Sequence, residues 1–425
     1  MARSSDSSVR SEGGPIGEAH GSPLTSVSPS AGLHSTTVML AEHKLGCDVL
    51  VDVTPLALGS RQQGIGTYIV SLTRAMAALP AEELGGLRIA ALVDWRGGSP
   101  ELAQLSEAAD RVREWAGAAY SDRGFVWRRR SELGRAVRRA APRLLHLTEP
   151  LGMPILPGCP RVVTCHDLIP LLFTERYARR RPGLARLRRL PHELVRYQLA
   201  HRVIAVSATT KRDLRRLLLV PAGRVDVVPN GLDSERFSAA RTPGERETLR
   251  REYGLDRPYA LYVGSGDPRK NLPLLVEAFA ASGLAGRMEL VIAGTLHASH
   301  RPPIEEAITR GGVRAAVRLL GFVPEPRLAS LYRGAEVFAF PSLYEGFGLP
   351  VVEAMACGVP VVTTTGGALA EVAGGAALTV PAGDVDAWAA ALARAIADDG
   401  WRRAAVRAGL EQASDPGSCR PVRSH

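Results

Sequence analysis

Lysine is nearly missing from this 425-residue sequence: Lys44, Lys211 and Lys270 are the only three, so arginine carries the formal net charge of +10. Such a surplus attracts anions, whether phosphorylated small molecules, a negatively charged membrane face or nucleic acid. Aromatic residues are also scarce, at 5%. They do not interleave the arginine-rich stretches 123–143 and 176–202, which argues against a base-stacking surface and so against a nucleic-acid partner. Those stretches read as solvated faces, or as a surface for an anionic acceptor or membrane lipid. The five cysteines are odd in number and contain no Cys-x-x-Cys pair, which excludes a disulfide framework and a zinc knuckle and fits a reducing cytoplasm. No apolar run approaches the ~18 residues of a membrane span, and the first residues lack a basic and then apolar signal region. The expected location is cytoplasmic, with at most peripheral contact with the inner face of the membrane.

What is present is an ordinary globular composition, 45% hydrophobic and 23% charged, over a length that suggests two domains. Residues 1–44 are rich in Ser, Gly, Pro and His and read as a disordered leader, with Met39 an alternative start. The run Asp48 to Val53 reads as a buried strand, followed by a glycine loop at Gly64-Ile-Gly66-Thr67 and a helix over Tyr68–Leu79. Further strands are expected at Leu87–Val93, Leu144–Leu147, Val162–Cys165, Val203–Val206 and Val225–Val228. A polar stretch over 238–257 separates this half from a second, with strands at Tyr259–Val263, Glu289–Ala293, Val317–Leu320, Val337–Phe340, Val359–Thr363 and Ala377–Val380. Alternation of strands with helical segments predicts parallel sheets. The expected domains are 45–240 and 241–400, with an atypical tail at 401–425. Ligands of such sheets bind at the carboxyl ends of the strands, so the loops after Val263, Leu320, Phe340 and Thr363 are where chemistry belongs.

Three of those four loops carry unusual residues. Pro341-Ser-Leu-Tyr-Glu345-Gly-Phe347-Gly348-Leu349-Pro350 leads into a helix whose free N-terminal amides suit a phosphate. The chain reversal there brings Glu345 and Glu353 to one edge of a ligand, where carboxylates accept sugar and ribose hydroxyls. Gly264-Ser-Gly-Asp-Pro-Arg269-Lys270-Asn271 offers two adjacent cations for a diphosphate, or two solvated surface charges. In the first half, Thr164-Cys-His166-Asp-Leu-Ile-Pro170 sets a histidine at a strand end, equally readable as a buried hydrogen-bonding residue or a ligand-facing one. Asp384-Val-Asp386 reads as a helix cap rather than a metal-binding pair.

Taken together, Gly64-Ile-Gly-Thr-Tyr68, His166-Asp-Leu-Ile-Pro170, Ala205-Val-Ser207, Val228-Pro-Asn-Gly231, Arg269-Lys-Asn271, Gly321-Phe-Val323 and the Glu345-to-Glu353 string resemble the GT4-type (group 1) retaining glycosyltransferases, from about residue 48 to 410. The resemblance implies an α/β GT-B fold, two facing Rossmann-like domains with parallel sheets and an interdomain cleft. It also implies transfer of a hexose, with mannose favoured, from a nucleotide-diphosphate sugar to a glycan or lipid-linked acceptor. By that similarity Arg269 and Lys270 face the diphosphate, and Phe347, Gly348 and Leu349 offer backbone amides. Glu353 holds the ribose and Val323 lies near the base. Glu345 contacts the donor sugar, and His166 and the loop at Gly64 and Gly66 reach across from the first domain. His166 and Glu345 are the expected catalytic residues, and no metal or other cofactor is implied.

Two features depart from the family pattern. Ser265 stands where many relatives carry an arginine, with Arg269 expected to compensate. After Ala413, the run Ser414 to His425 replaces an aromatic-containing last helix, as a truncation or shifted reading frame would. The same fold and phosphate site would also serve a sugar-nucleotide isomerase or phosphorylase, or a nucleotide-sugar binder impaired by its altered C-terminus.

Overall fold

The computed structural model of the protein describes residues 47–57, 64–80, 82–94, 112–115, 125–151, 153–154, 158–173 and 182–414. The expected leader, the residues just before Gly64, residues 176–181 of the second arginine stretch and the tail from 415 lie outside them.

The first sheet has seven parallel strands: β1 Val49–Asp52, β2 Ile89–Asp94, β3 Val112–Trp115, β4 Leu144–Leu147, β5 Arg161–Cys165, β6 Arg202–Ala205 and β7 Val225–Val227, in the order β3-β2-β1-β4-β5-β6-β7. Its helices are α1 Gly64–Ala78, α2 Phe125–Ala140, α3 Ile169–Leu172, α4 Pro182–Gln198 and α5 Ala208–Leu218. Alternate residues of β1 feed opposite faces, as strand geometry requires. Leu50 joins a core cluster with Leu145 and Val163, while Val51 joins another with Val53 and Ile69.

The second sheet has six parallel strands: β8 Tyr259–Val263, β9 Glu289–Ala293, β10 Val317–Gly321, β11 Val337–Phe340, β12 Val361–Thr364 and β13 Ala377–Val380, in the order β10-β9-β8-β11-β12-β13. Around it lie α6 Glu245–Tyr253, α7 Leu272–Ala281, α8 Arg301–Arg310, α9 Glu325–Gly334, α10 Leu349–Ala356, α11 Leu369–Ala373, α12 Val385–Ala397 and α13 Asp399–Ser414. One large hydrophobic cluster fills this half, with Tyr262, Phe338, Phe340 and Trp388 completely buried.

Three expectations shift. Strand β3 was not anticipated, because its Val-Arg-Glu-Trp sequence lacks the continuous apolar run of a strand covered on both faces; it is an edge strand. Strand β12 begins at Val361 rather than Val359. The Val359 amide closes the preceding helix on Ala354 O at 3.0 Å, and Pro360 has no N–H to give a ladder. Gly64 and Gly66 form the first turn of α1 rather than a loop before it, since the first amides of a helix need no helical partner. Asp384 caps α12 as expected, accepting the Ala387 amide at 2.9 Å.

Candidate active site

Strand order reverses between β8 and β11 in the second sheet, which opens a crevice at their carboxyl ends. A short 3-10 turn at Pro268–Lys270 follows β8, fixed by the Asp267 side chain accepting the Arg269 backbone amide and by Asn271 in the left-handed region, whose side-chain Nδ2 donates to Ala382 O at 2.7 Å. The turn presents Arg269 and Lys270 to the loop after β11. There Lys270 Nζ lies 2.6 Å and Arg269 Nη1 2.8 Å from Glu345 Oε1, and Ser342 Oγ donates to the same oxygen. Arg269 also donates to Tyr344 O at 2.7 Å, and Lys270 sits 4.9 Å over the Phe340 ring. All the contacts on Glu345 fall on Oε1; among the described residues Oε2 accepts none of them.

Burial is the largest influence on the Glu345 carboxyl and pushes its pKa up, but Lys270 and Arg269 together outweigh it and hold it below the usual carboxylate range. Burial and the neighbouring Arg269 charge lower Lys270, against the pull of Glu345. Two cations share one carboxylate, so the cluster keeps an excess positive charge in a water-poor site, where counter-charge is worth most.

Helix α10 starts beside this cluster. Its N-cap, Gly348, has φ +112° and no capping side chain. Pro350 has no N–H and the Val351 amide donates to Gly348 O at 2.9 Å, so of the first three residues it is the Leu349 amide that is left for a ligand at the crevice. Phe347 and Val323 have side chains packed in the second core, so what they offer a ligand is backbone; Phe322, beside Val323, is 63% exposed. Glu353, one turn along α10, accepts Tyr332 Oη at 2.8 Å, and burial raises its pKa to about 7. Glu345 and Glu353 thus have different partners.

The first-half wall sets uncharged groups around His166, beside the Asp167 carboxyl, whose Oδ1 accepts the Ile169 amide at 2.9 Å. His166, after β5, directs Nε2 at the Thr148 carbonyl oxygen at 2.9 Å, and its ring meets Tyr68 edge-on at 4.8 Å. A carbonyl only accepts, so Nε2 carries the hydrogen and Nδ1 keeps a lone pair. Thr164 Oγ1 links Tyr68 Oη at 3.1 Å to His146 Nε2 at 3.0 Å, and Thr148 Oγ1 donates to Asp52 O at 2.6 Å. Burial lowers both histidines to about 4, for His146 with help from the His166 charge, so both are neutral near pH 7.

The two walls touch. A Cβ on Gly346 would lie 1.8 Å from His166 O and 2.9 Å from Asp167 Cβ, so glycine alone admits this approach. The nearest atom to a Cβ on Gly64 would be Leu349 Cδ1 at 4.0 Å, which sets the start of α1 against the start of α10. Burial raises the Asp167 pKa, and it feels Arg269, Glu345 and Lys270. His166, Gly64, Arg269, Lys270, Glu345 and the start of α10 therefore converge on one cleft. Gly66 is buried within α1. Sequence reasoning missed Tyr68, His146, Thr148, Tyr332 and Ser342. Tyr68, Thr164 and Ser342 lie inside strings already singled out but were given no role there, whereas His146, Thr148 and Tyr332 come from elements that carry no such string. Of the described arginines in those stretches, Arg130 donates to Met153 O, Arg143 pairs with Asp48, Arg196 with Glu193 and Arg202 with Asp226.

Comparisons with known proteins fit this arrangement. The family Glycosyltransferase Family 4 matches residues 63–236, and Glycosyl transferases group 1 matches residues 245–412. O-antigen chain mannosyltransferase B of Escherichia coli is 36% identical over 214 residues, covering 50% of this chain and 55% of the relative. A D-inositol 3-phosphate glycosyltransferase of Xylanimonas cellulosilytica is 37% identical over 223 residues, covering 50% and 52%. The chain thus spans about half the length of these curated relatives. Among solved structures, sucrose-phosphate synthase from Thermosynechococcus elongatus superposes with a TM-score of 0.69 at 23% identity, over 86% of this chain and 94% of the other. Anabaena HepE in complex with UDP does so at 0.66 and 18% identity, with the same coverage. These likenesses establish the two-domain GT-B fold. With the two family matches following one another in order along the two sheets, the chain belongs to the GT4-type, group 1 glycosyltransferases.

Proposed function

We propose that this protein transfers a hexose, mannose in the favoured reading, from a nucleotide-diphosphate sugar to a glycan or lipid-linked acceptor with retention at the anomeric carbon. The observation that carries the reading is the cluster on Glu345: two cations and a hydroxyl converge on Oε1 while Oε2 is left for a ligand hydroxyl. Arg269 and Lys270 oppose the diphosphate together with the Leu349 amide of α10 and stabilise the charge that grows as the bond between the anomeric carbon and phosphate oxygen breaks. Glu345 Oε2 accepts a sugar hydroxyl and Glu353 a ribose hydroxyl. The acceptor oxygen attacks the face that the diphosphate leaves, and its proton passes to the departing phosphate oxygen. His166, neutral and anchored through Nε2, presents Nδ1 to the sugar as a hydrogen-bond acceptor.

Mannose is favoured because curated relatives at 30–36% identity are named mannosyltransferases. A reaction without a resident metal belongs to the same proposal, with the arginine, lysine and helix amide supplying the counter-charge. So does action in the cytoplasm at the membrane face, in keeping, among the described residues, with four free cysteines and with the lack of any helix long and apolar enough to cross a membrane.

The test is a thermal-shift panel of GDP-, UDP-, ADP- and dTDP-sugars, followed by transfer assays with the best stabiliser in the presence and absence of a chelator. Stabilisation by a mannose nucleotide and chelator-insensitive transfer with retained configuration are expected. Epimerisation of the donor without transfer would move the protein to the isomerase class.

A further inference from the structure

Helix α5 belongs to the first sheet, yet its first two turns are held by the second. Glu371, at α11, accepts the Ala208 amide at 2.7 Å on one oxygen and the Thr209 amide at 3.1 Å on the other. The Thr209 hydroxyl lies 3.3 Å from both Glu371 Oε2 and Gly367 O and serves one of them at a time. The Thr210 hydroxyl donates to Gly346 O at 3.2 Å, and Tyr344 Oη donates to Asp213. A carboxylate at a helix N-terminus meets unpaired amides and the positive end of the dipole, so Glu371 makes a strong cap. This cap lies 163 residues along the chain from the amide it binds.

The segments that α5 grips are the ones that carry the charge cluster. Glu345 and Gly367 are bridged, with the Ala368 amide on Glu345 O at 2.9 Å. Tyr344, Glu345 and Gly346 therefore stand between two first-half elements: α5, bonded to Tyr344 and Gly346, and the His166–Asp167 backbone, in contact with Gly346. We propose that Glu371 and Thr210 are positioning residues: by clamping α5 to the 344–346 loop they set the separation between His166 and Glu345. The clamp touches none of the Arg269, Lys270 or Glu353 side chains, so it governs turnover and leaves nucleotide affinity alone. The effect on turnover rests on the transferase reading above; the clamp itself does not.

The variants are Glu371→Gln and Thr210→Val, with Thr210→Ser as the conservative control. Hydrogen exchange on the full chain without substrate is expected to speed at 208–210 and also, at a distance, at 164–168 and 343–347. The serine control stays at the wild-type rate. With a donor that the wild type turns over, kcat falls 10- to 100-fold while Kd for the matching nucleoside diphosphate stays within twofold. Loss of protection confined to 208–210, an unchanged kcat, or a nucleotide Kd that weakens in step with kcat overturns the proposal. If the wild type transfers no sugar from any donor, the transferase reading fails, and the exchange at 164–168 and 343–347 decides the clamp alone.

Discussion

The two walls of the cleft solve opposite electrostatic problems. The second-half wall concentrates full charges, Arg269 and Lys270 against Glu345, and keeps a positive excess in a buried place. The first-half wall surrounds His166, which burial holds neutral, with hydroxyls and a carbonyl, and burial also raises the pKa of the neighbouring Asp167 carboxyl. In the proposed reaction the wall that opposes the diphosphate retains charge, and the wall that faces the sugar relies on hydrogen-bonding groups. The cost of burying an ion is accepted only where a ligand's opposite charge compensates it.

The comparison breaks most sharply if each wall is removed in turn. His166→Ala is expected to lower kcat by about 10²–10³ while nucleotide affinity stays within twofold, as loss of one preorganised polar contact does. Lys270→Ala is expected to weaken nucleoside-diphosphate binding by about 10- to 100-fold, the 1.4–3 kcal/mol scale of a charge-assisted contact. Calorimetry with the nucleotide and steady-state kinetics separate the two; equal effects of both variants on affinity would dissolve the distinction.

Contact between the walls is the next target. Gly346→Ala forces a methyl group into the His166 carbonyl, and a destabilisation of about 1–3 kcal/mol in urea unfolding is expected from such overpacking. An unchanged midpoint would mean that the walls part freely.

The smallest effect is in pH dependence, where the walls have opposite slopes. For His166 and His146 the folded pKa, about 4, lies below the unfolded value near 6.5, so the unfolded chain binds more protons in between. Their contribution is full above pH 6.5 and is lost as pH falls toward 4. For Glu353 the folded pKa, about 7, lies above the unfolded value near 4.5, so stability is lost as pH rises through that window. Glu353→Gln should therefore raise the melting temperature by a few degrees at pH 8 and change little at pH 4.5. Differential scanning fluorimetry of wild type and variant across pH 4–9 reads both limbs.

How much was legible beforehand follows the same division. Tyr259–Val263, Glu289–Ala293, Val337–Phe340 and Ala377–Val380 were readable as strands because each is a compact apolar run between polar turns. Arg269, Lys270, Glu345 and Glu353 stood out because unusual residues cluster within short strings at strand ends. The network around His166 was not legible. Tyr68, His146, Thr148 and Thr164 come from a helix and the ends of separate strands, and as isolated residues each is unremarkable. Glu371 was hidden for the same reason, its partners being more than 160 residues away.

The sequence by itself determined two parallel sheets, the strand ends where chemistry belongs, and the cations and carboxylates of one wall, since hydrophobic period and local strings are short-range properties. Only the tertiary structure decided that Arg269 and Lys270 neutralise Glu345, that Gly346 presses on His166, and that Glu371 caps a helix of the other sheet. Strand order is what sets β8 beside β11 and brings these residues together. That order is a choice among packings of elements far apart in the chain, fixed by burial of both sheets and not by any one stretch of residues.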